Sequence, residues 1–178
     1  MSCEISLGRL EGCKDQIGGL NAIYFVNFGD AESWTTADEA ITAIGASVAP
    51  SAYKYDLRGN SSFDQSLTSS RENGTTFYES TLNATFQVLD VATQEEIKLL
   101  NRGRAQYVAE LYPNGAGVTK YLLIGKDNGA EITGGTIVSG AAAGDLQGFT
   151  LTAVAMEVNP PFFCTVPDVS ATASIDPA

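Results

Sequence analysis

No histidine occurs among the 178 residues. Its absence removes the commonest general base and metal ligand, and the side chain whose ordinary pKa lies nearest neutrality. Cysteine is scarce too. Cys3, Cys13 and Cys164 are an odd number spread along the chain, which argues against a disulfide framework and makes reduced thiols the expectation. A zinc site wants about four nitrogen or sulfur ligands, so no metal is expected. Ten basic residues face 21 acidic ones, a formal charge of -11, and a surface of that sign repels phosphate. Specific nucleic-acid binding is therefore not expected. No stretch approaches the roughly 18 to 20 apolar residues that span a bilayer. Met1-Ser2-Cys3-Glu4 lacks the basic flank and apolar run of a signal peptide, so synthesis in the cytosol is expected.

Catalytic signatures are equally sparse. There is no Gly-x-Ser-x-Gly elbow, phosphate loop or dinucleotide fingerprint. Glu95-Glu96 falls near the start of a helical pattern, where acids complement the helix dipole, and reads as that before it reads as a glycosidase pair. The Asn60, Asn73 and Asn83 sequons read as chance matches in an Asn- and Thr-rich chain without a secretion signal. A non-enzymatic protein without a cofactor is the expectation.

What the sequence does have is the make-up of strands and tight turns: 18 glycines, and aromatic residues set in alternating runs. After an irregular segment, 1–19, the run 20–28 reads as a buried strand. Thr36-Ala37-Asp38-Glu39 fits a capping box and predicts a short surface helix closed by Gly45. The stretch 52–58 alternates cleanly.

A long hairpin is then expected from about Ser62 to Val88, turning at Asn73-Gly74, a pair suited to a two-residue type I′ turn. That register pairs Glu72 with Thr75. It puts Phe63, Leu67, Tyr78, Leu82 and Phe86 on one face, and Asp64, Ser66, Thr68, Glu79, Thr81 and Asn83 on the other. The tip, Ser69-Ser70-Arg71-Glu72-Asn73-Gly74-Thr75-Thr76, is almost wholly polar. Arms of about ten residues at roughly 3.3 Å each predict some 35 Å of hairpin, part of it projecting.

Thr93-Gln94-Glu95-Glu96 predicts a helix capped by Thr93, with Ile97, Leu99 and Leu100 as its apolar stripe and Gly103 at its end. Strands follow at 104–112 and 118–126, with turns at 113–117 and 127–129. Short strands within 132–139 are expected to break at Gly134-Gly135, and a closing strand spans 147–158. Phe162-Phe163-Cys164 is an apolar patch in need of a partner, and 162–178 forms a C-terminal tail. No composition break divides the chain, so one domain, 1–178, is expected. The fold class is mostly β: an antiparallel β-sandwich or partly open β-barrel with one packed α-helix and a long projecting hairpin.

Three pieces together resemble the tail-tube proteins of long-tailed bacteriophages, in particular those infecting Bacteroidota. They are the hairpin containing 69–79, the helix with Lys98-Leu99-Leu100-Asn101-Arg102-Gly103-Arg104, and the ending from Asp127-Asn128-Gly129 through Met156-Glu157. The likeness spans about 51–161 and lies in element order more than in any diagnostic string. It implies a virion subunit, made in the host cytoplasm, that forms stacked hexameric rings whose sheets join edge to edge around a lumen. The tip residues Ser69 to Thr76 would reach the adjacent ring. Other implied partners are the terminator, tape-measure and baseplate proteins, and DNA would pass through the lumen unbound. Carboxylates such as Asp64 and Glu79, if they face that lumen, would repel it; as solvated acids they would serve solubility alone. Two alternatives stand beside this expectation. One is another virion structural protein, a tail terminator or head decoration; the other is a β-sandwich module binding carbohydrate or a host surface.

Overall fold

A computed structural model of the chain describes residues 8–11, 14–29, 33–37, 40–45, 52–57 and 60–164. Cys3, Cys13, Asp38, Glu39, Arg58 and the tail beyond Cys164 lie outside the described residues.

Eleven strands and one helix are present among those described. β1 (Leu20–Asn27), β2 (Ser33–Ala37), β3 (Ala40–Gly45), β4 (Ala52–Asp56), β7 (Ala105–Leu111), β8 (Tyr121–Ile124) and β11 (Phe162–Cys164) form a seven-stranded sheet in the order β2-β3-β11-β8-β7-β1-β4. β5 (Ser62–Ser70), β6 (Thr75–Gln87), β9 (Glu131–Val138) and β10 (Gly148–Glu157) form a four-stranded sheet in the order β5-β6-β10-β9. Every pairing is antiparallel except that of β11 with β3. The sheets stack as an open sandwich. Neither closes into a barrel, and β2, β4, β5 and β9 stand at the margins.

Alternation of side chains along each strand builds the core between the sheets. Ile23, Phe25, Tyr107, Ala109, Leu122 and Ile124 come from the larger sheet, and Leu82, Ala84, Phe86, Phe149, Leu151 and Ala153 from the smaller. The opposite face of the larger sheet is buried as well, around Ala22, Tyr24, Val26, Val108, Leu123 and Phe162. β1 and β7 are therefore buried at nearly every position, the pattern of strands covered on both sides. The smaller sheet has one dry face only, and β6 alternates accordingly, with Ser80, Leu82, Ala84 and Phe86 buried.

Several expectations need correction. The short helix predicted at 36–44 is instead the antiparallel pair β2 and β3. A capping box of four residues cannot outweigh a ladder that pairs Ile41, Ala43 and Ile44 with 34–36 and docks β3 on β11. The hairpin turn has four residues, Arg71 to Gly74, and its last rung is Ser70 with Thr75. Of the turn residues only Gly74 takes positive φ, +62°, whereas a two-residue type I′ turn needs it at Asn73 also. The partners shift by two residues, an even number, so the two faces keep the membership expected of them: Leu67 lies opposite Tyr78 and Asp64 opposite Thr81. β10 accompanies β6 as far as Tyr78, so only three rungs and the turn overhang, about 10 Å at 3.3 Å per residue.

The helix α1 (Val91–Leu100) starts two residues before Thr93. Its N-cap is Asp90, whose carboxylate accepts the Thr93 N–H at 2.7 Å. Glu95 and Glu96 thus fall beyond the first turn. Ile97 and Leu100 pack on the inter-sheet core. β9 is one continuous strand across Gly134-Gly135, with a bulge where Thr152 and Ala153 change register. A Cβ on Gly135 would lie 2.8 Å from the Thr150 carbonyl oxygen, so the glycine admits the close approach of β10 and does not break the strand. Phe162-Phe163-Cys164 finds its partner as β11, between β8 and β3.

Candidate assembly surface

The open face of the four-stranded sheet is built by parity. Opposite each core residue of β6 and β10 stands an outward one: Glu79, Thr81, Asn83 and Thr85 on β6, and Thr150, Thr152, Val154 and Met156 on β10. β5 contributes Ser62, Asp64, Ser66 and Thr68, and β9 contributes Glu131, Gly134 and Thr136. Hydroxyls pair along this face. Thr136 Oγ1 and Thr150 Oγ1 are 2.6 Å apart, and Thr152 Oγ1 donates to Asn83 Oδ1 at 3.0 Å.

Not one of the four strands contains a lysine or arginine. Asp64 and Glu79, the carboxylates singled out from the sequence, share this face, with Glu131 two strands further on. Arg104, reaching from outside the sheet, lies 3.6 Å from Glu131 as an exposed ion pair. The rung Asp64-Thr81-Val154-Glu131 runs straight across the sheet with an acid at each margin.

The hairpin tip is exposed from Arg71 through Thr76. Ser69 and Thr76 hydroxyls lie 3.0 Å apart across the last rungs, and Ser70 Oγ accepts the Asn73 N–H at 3.3 Å. These local bonds shape the turn while Arg71, Glu72 and Thr75 face solvent. Tip and acidic face are parts of one hairpin, so the structure brings all ten sequence-predicted residues onto β5, β6 and their turn.

Sequence reasoning missed two buried carboxylates. Glu110 on β7 is 8% exposed and accepts Tyr24 Oη and Asn21 Nδ2, each at 2.6 Å. Burial and the bond to Glu110 raise the Tyr24 hydroxyl well above its ordinary pKa, so it stays a proton donor in that bond. Lys54 pairs with Asp56 at 3.0 Å beside it. Glu157, at the end of β10, accepts the Asp127 N–H at 2.7 Å and the Asn128 N–H at 3.4 Å. Desolvation raises its pKa against the lowering effect of those two bonds. Glu157 thereby fastens the turn between β8 and β9 to the far end of β10. The available signal was an acid at the buried parity of a largely apolar strand.

Cys164 is an unpaired thiol pushed up to about 12 by burial, which keeps it protonated at neutral pH. Among the described residues no three Asp, Glu or Cys side chains gather as metal ligands, and no helix is long and apolar enough to cross a membrane.

A groove missed from the sequence lies between α1 and β9. Its volume is about 480 Å³, with Ile97, Lys98 and Asn101 on one wall and Ile132, Gly135 and Ile137 on the other. Ile137 is 62% exposed, although its parity places it on the core-facing side with Phe149.

Compared with known proteins, the chain matches no family model, no curated protein and no solved structure.

Proposed function

We propose that this chain is a non-enzymatic structural subunit that assembles with copies of itself into stacked rings forming a tail-tube-like conduit of a phage virion. The observation that carries the reading is the four-stranded sheet. Among the described residues it is open at both margins, dry on one face, and on the other lined with hydroxyls and carboxylates without a basic residue on any of its strands. Uncapped margins expose unpaired backbone groups, a hazard for a lone molecule that ring closure removes. An acidic, hydroxyl-rich wall suits a bore through which DNA slides without adhering. In this reading Asp64 and Glu79 face the lumen, and the tip from Ser69 to Thr76 meets the adjacent ring. Rings of about six such domains would be on the order of 100 Å wide.

Negative-stain imaging of concentrated protein is expected to show rings or filaments of that width. Deleting Arg71 to Thr76 while keeping a short turn is expected to leave a folded chain that no longer stacks. Monodisperse monomers across salt and protein concentration overturn the reading.

A further inference from the structure

The two margins of the four-stranded sheet fit each other at one register. Its strands run alternately, and their number is even, so β5 and β9 point in opposite directions. Rotation about an axis along the strands therefore brings β5 of one copy antiparallel to β9 of the next. Thr85 N–H turns to the β5 side, where it reaches Ser61 Oγ, and Thr136 N–H turns to β10, reaching Thr150 Oγ1. Alternation from those two points aims the N–H groups of Phe63, Gln65, Gly135 and Ile137 out of the sheet, as a new ladder requires.

Side chains then choose the register. Phe63 is level with Leu82, Ala153 and Ile132, whereas Ile137 is level with Phe149 and Phe86. Leu82 and Phe86 are four residues apart on β6. Sliding the neighbour's β5 by those four residues sets Phe63 opposite Ile137, Gln65 opposite Gly135 and, across the bulge in β9, Leu67 opposite Ile132. Leu67 is 58% exposed and Ile137 62%, and both belong to the core-facing side of the sheet. The groove between α1 and β9 lies on that same side.

The slide also separates charge. Without it Asp64 stands opposite Glu131, like charges on one rung, which is destabilising. With it Asp64 meets Thr136 and Glu131 meets Thr68. A slide of two residues sets Phe63 against Gly135 and carries Leu67 past the start of β9. A slide of six carries Phe63 past its end. Odd slides would turn the apolar residues to the wet face. Four residues at about 3.3 Å, taken over four strands at about 4.8 Å, give a strand tilt of about 35°, within the range of closed barrels.

We infer that β9 and the groove beside α1 form the socket for β5 of a second copy of this chain, staggered by four residues, with Leu67 entering the groove and Phe63 set opposite Ile137. The inference rests on the self-assembly reading above and adds to it a partner strand, a register and a seat for two side chains.

Cysteine cross-linking of the full chain tests it. Asp64 and Thr136 lie on β5 and β9, three inter-strand steps across and four residues along, about 20 Å apart within one molecule and beyond disulfide reach. Under mild oxidation, the double variant Asp64→Cys, Thr136→Cys is expected to give dimer, trimer and higher bands on a denaturing gel. The double variant Asp64→Cys, Glu131→Cys, matched to the unslid register, is expected to stay monomeric, as is each single variant. The reverse result overturns the register. Intact filaments with bands from neither pair overturn the socket while leaving the tube. Monomers by imaging and by gel alike overturn both. As a second arm, Leu67→Asp and Ile137→Asp are each expected to remain folded monomers by sedimentation. Mixed, they are expected to form a dimer, since each keeps the half-interface that the other has lost. Absence of that dimer also counts against the socket.

Discussion

The two sheets of this molecule solve different problems with similar strands. The seven-stranded sheet is apolar on both faces at its centre, and it buries one carboxylate, Glu110, between two donors. The four-stranded sheet keeps one face wet, carries no cation on its strands, and leaves an apolar residue exposed on the dry side of each margin, Leu67 and Ile137. One sheet is specified by what it packs against. The other is specified by what it leaves unpacked, and in the proposed assembly it is the working surface.

The contrast can be broken most forcibly at Tyr107, which is 0% exposed at the centre of the inter-sheet core. Tyr107→Ala is expected to cost about 4 kcal/mol in urea unfolding of the monomer, from lost burial and the cavity left behind. Ser66→Ala, on the open face of the other sheet, is expected to change stability by less than about 0.5 kcal/mol. Equal costs at the two positions would mean that the wet face is covered in the free protein.

A smaller effect is expected from Glu110→Ala, about 2 to 3 kcal/mol, because the buried Tyr24 hydroxyl and the Asn21 amide lose their acceptor together. Tyr24→Ala in the Glu110→Ala background should then cost less than it does alone. Additive losses in that double-mutant cycle would show that the bond does not couple them.

The smallest expected effect is one of pH. Burial raises the Glu157 carboxyl, so the folded chain holds this proton more tightly than the unfolded one. Its contribution to stability is fully present below the ordinary carboxylate range and is lost as pH rises through the raised folded value. Asp90 works in the opposite sense. Thr93 and its N–H lower the Asp90 carboxyl, so that contribution is present above the ordinary range and lost as pH falls through the lowered value. Chemical unfolding across the acid range should therefore show stability declining as pH rises just above the ordinary carboxylate range. Glu157→Gln should flatten that decline and leave the loss at lower pH in place. An unchanged slope in the variant would remove Glu157 as its source.

Strand existence was legible wherever period or apolar density was strong: β1, β4, β6, β7 and β10 fall where alternation or β-rich runs placed them. The two faces of the hairpin were legible even with its turn misread, since parity survives a shift of two. The helix-like reading of 36–44 failed because a local capping signal competes with a ladder that the linear sequence does not display. Ten residues of the candidate surface could be named because turn chemistry and charge are local properties. The groove could not. It exists because Ile132 and Ile137 flank a pair of glycines on a strand that appeared broken, and because α1 docks beside them. Glu110 and Glu157 were hidden for a similar reason: an acid in a strand looks solvated until its neighbours are known.

A Cβ placed on Gly148 would sit 2.0 Å from the Phe86 carbonyl oxygen, and one on Gly125 would lie 2.9 Å from the Ala130 nitrogen. Even alanine is too large at these points. Over long divergence the hydroxyls of the open face are free to drift among small polar residues, whereas these two glycines are not. Among distant descendants of this chain, such bare positions should outlast any recognisable motif, and they are the marks by which kinship could still be traced.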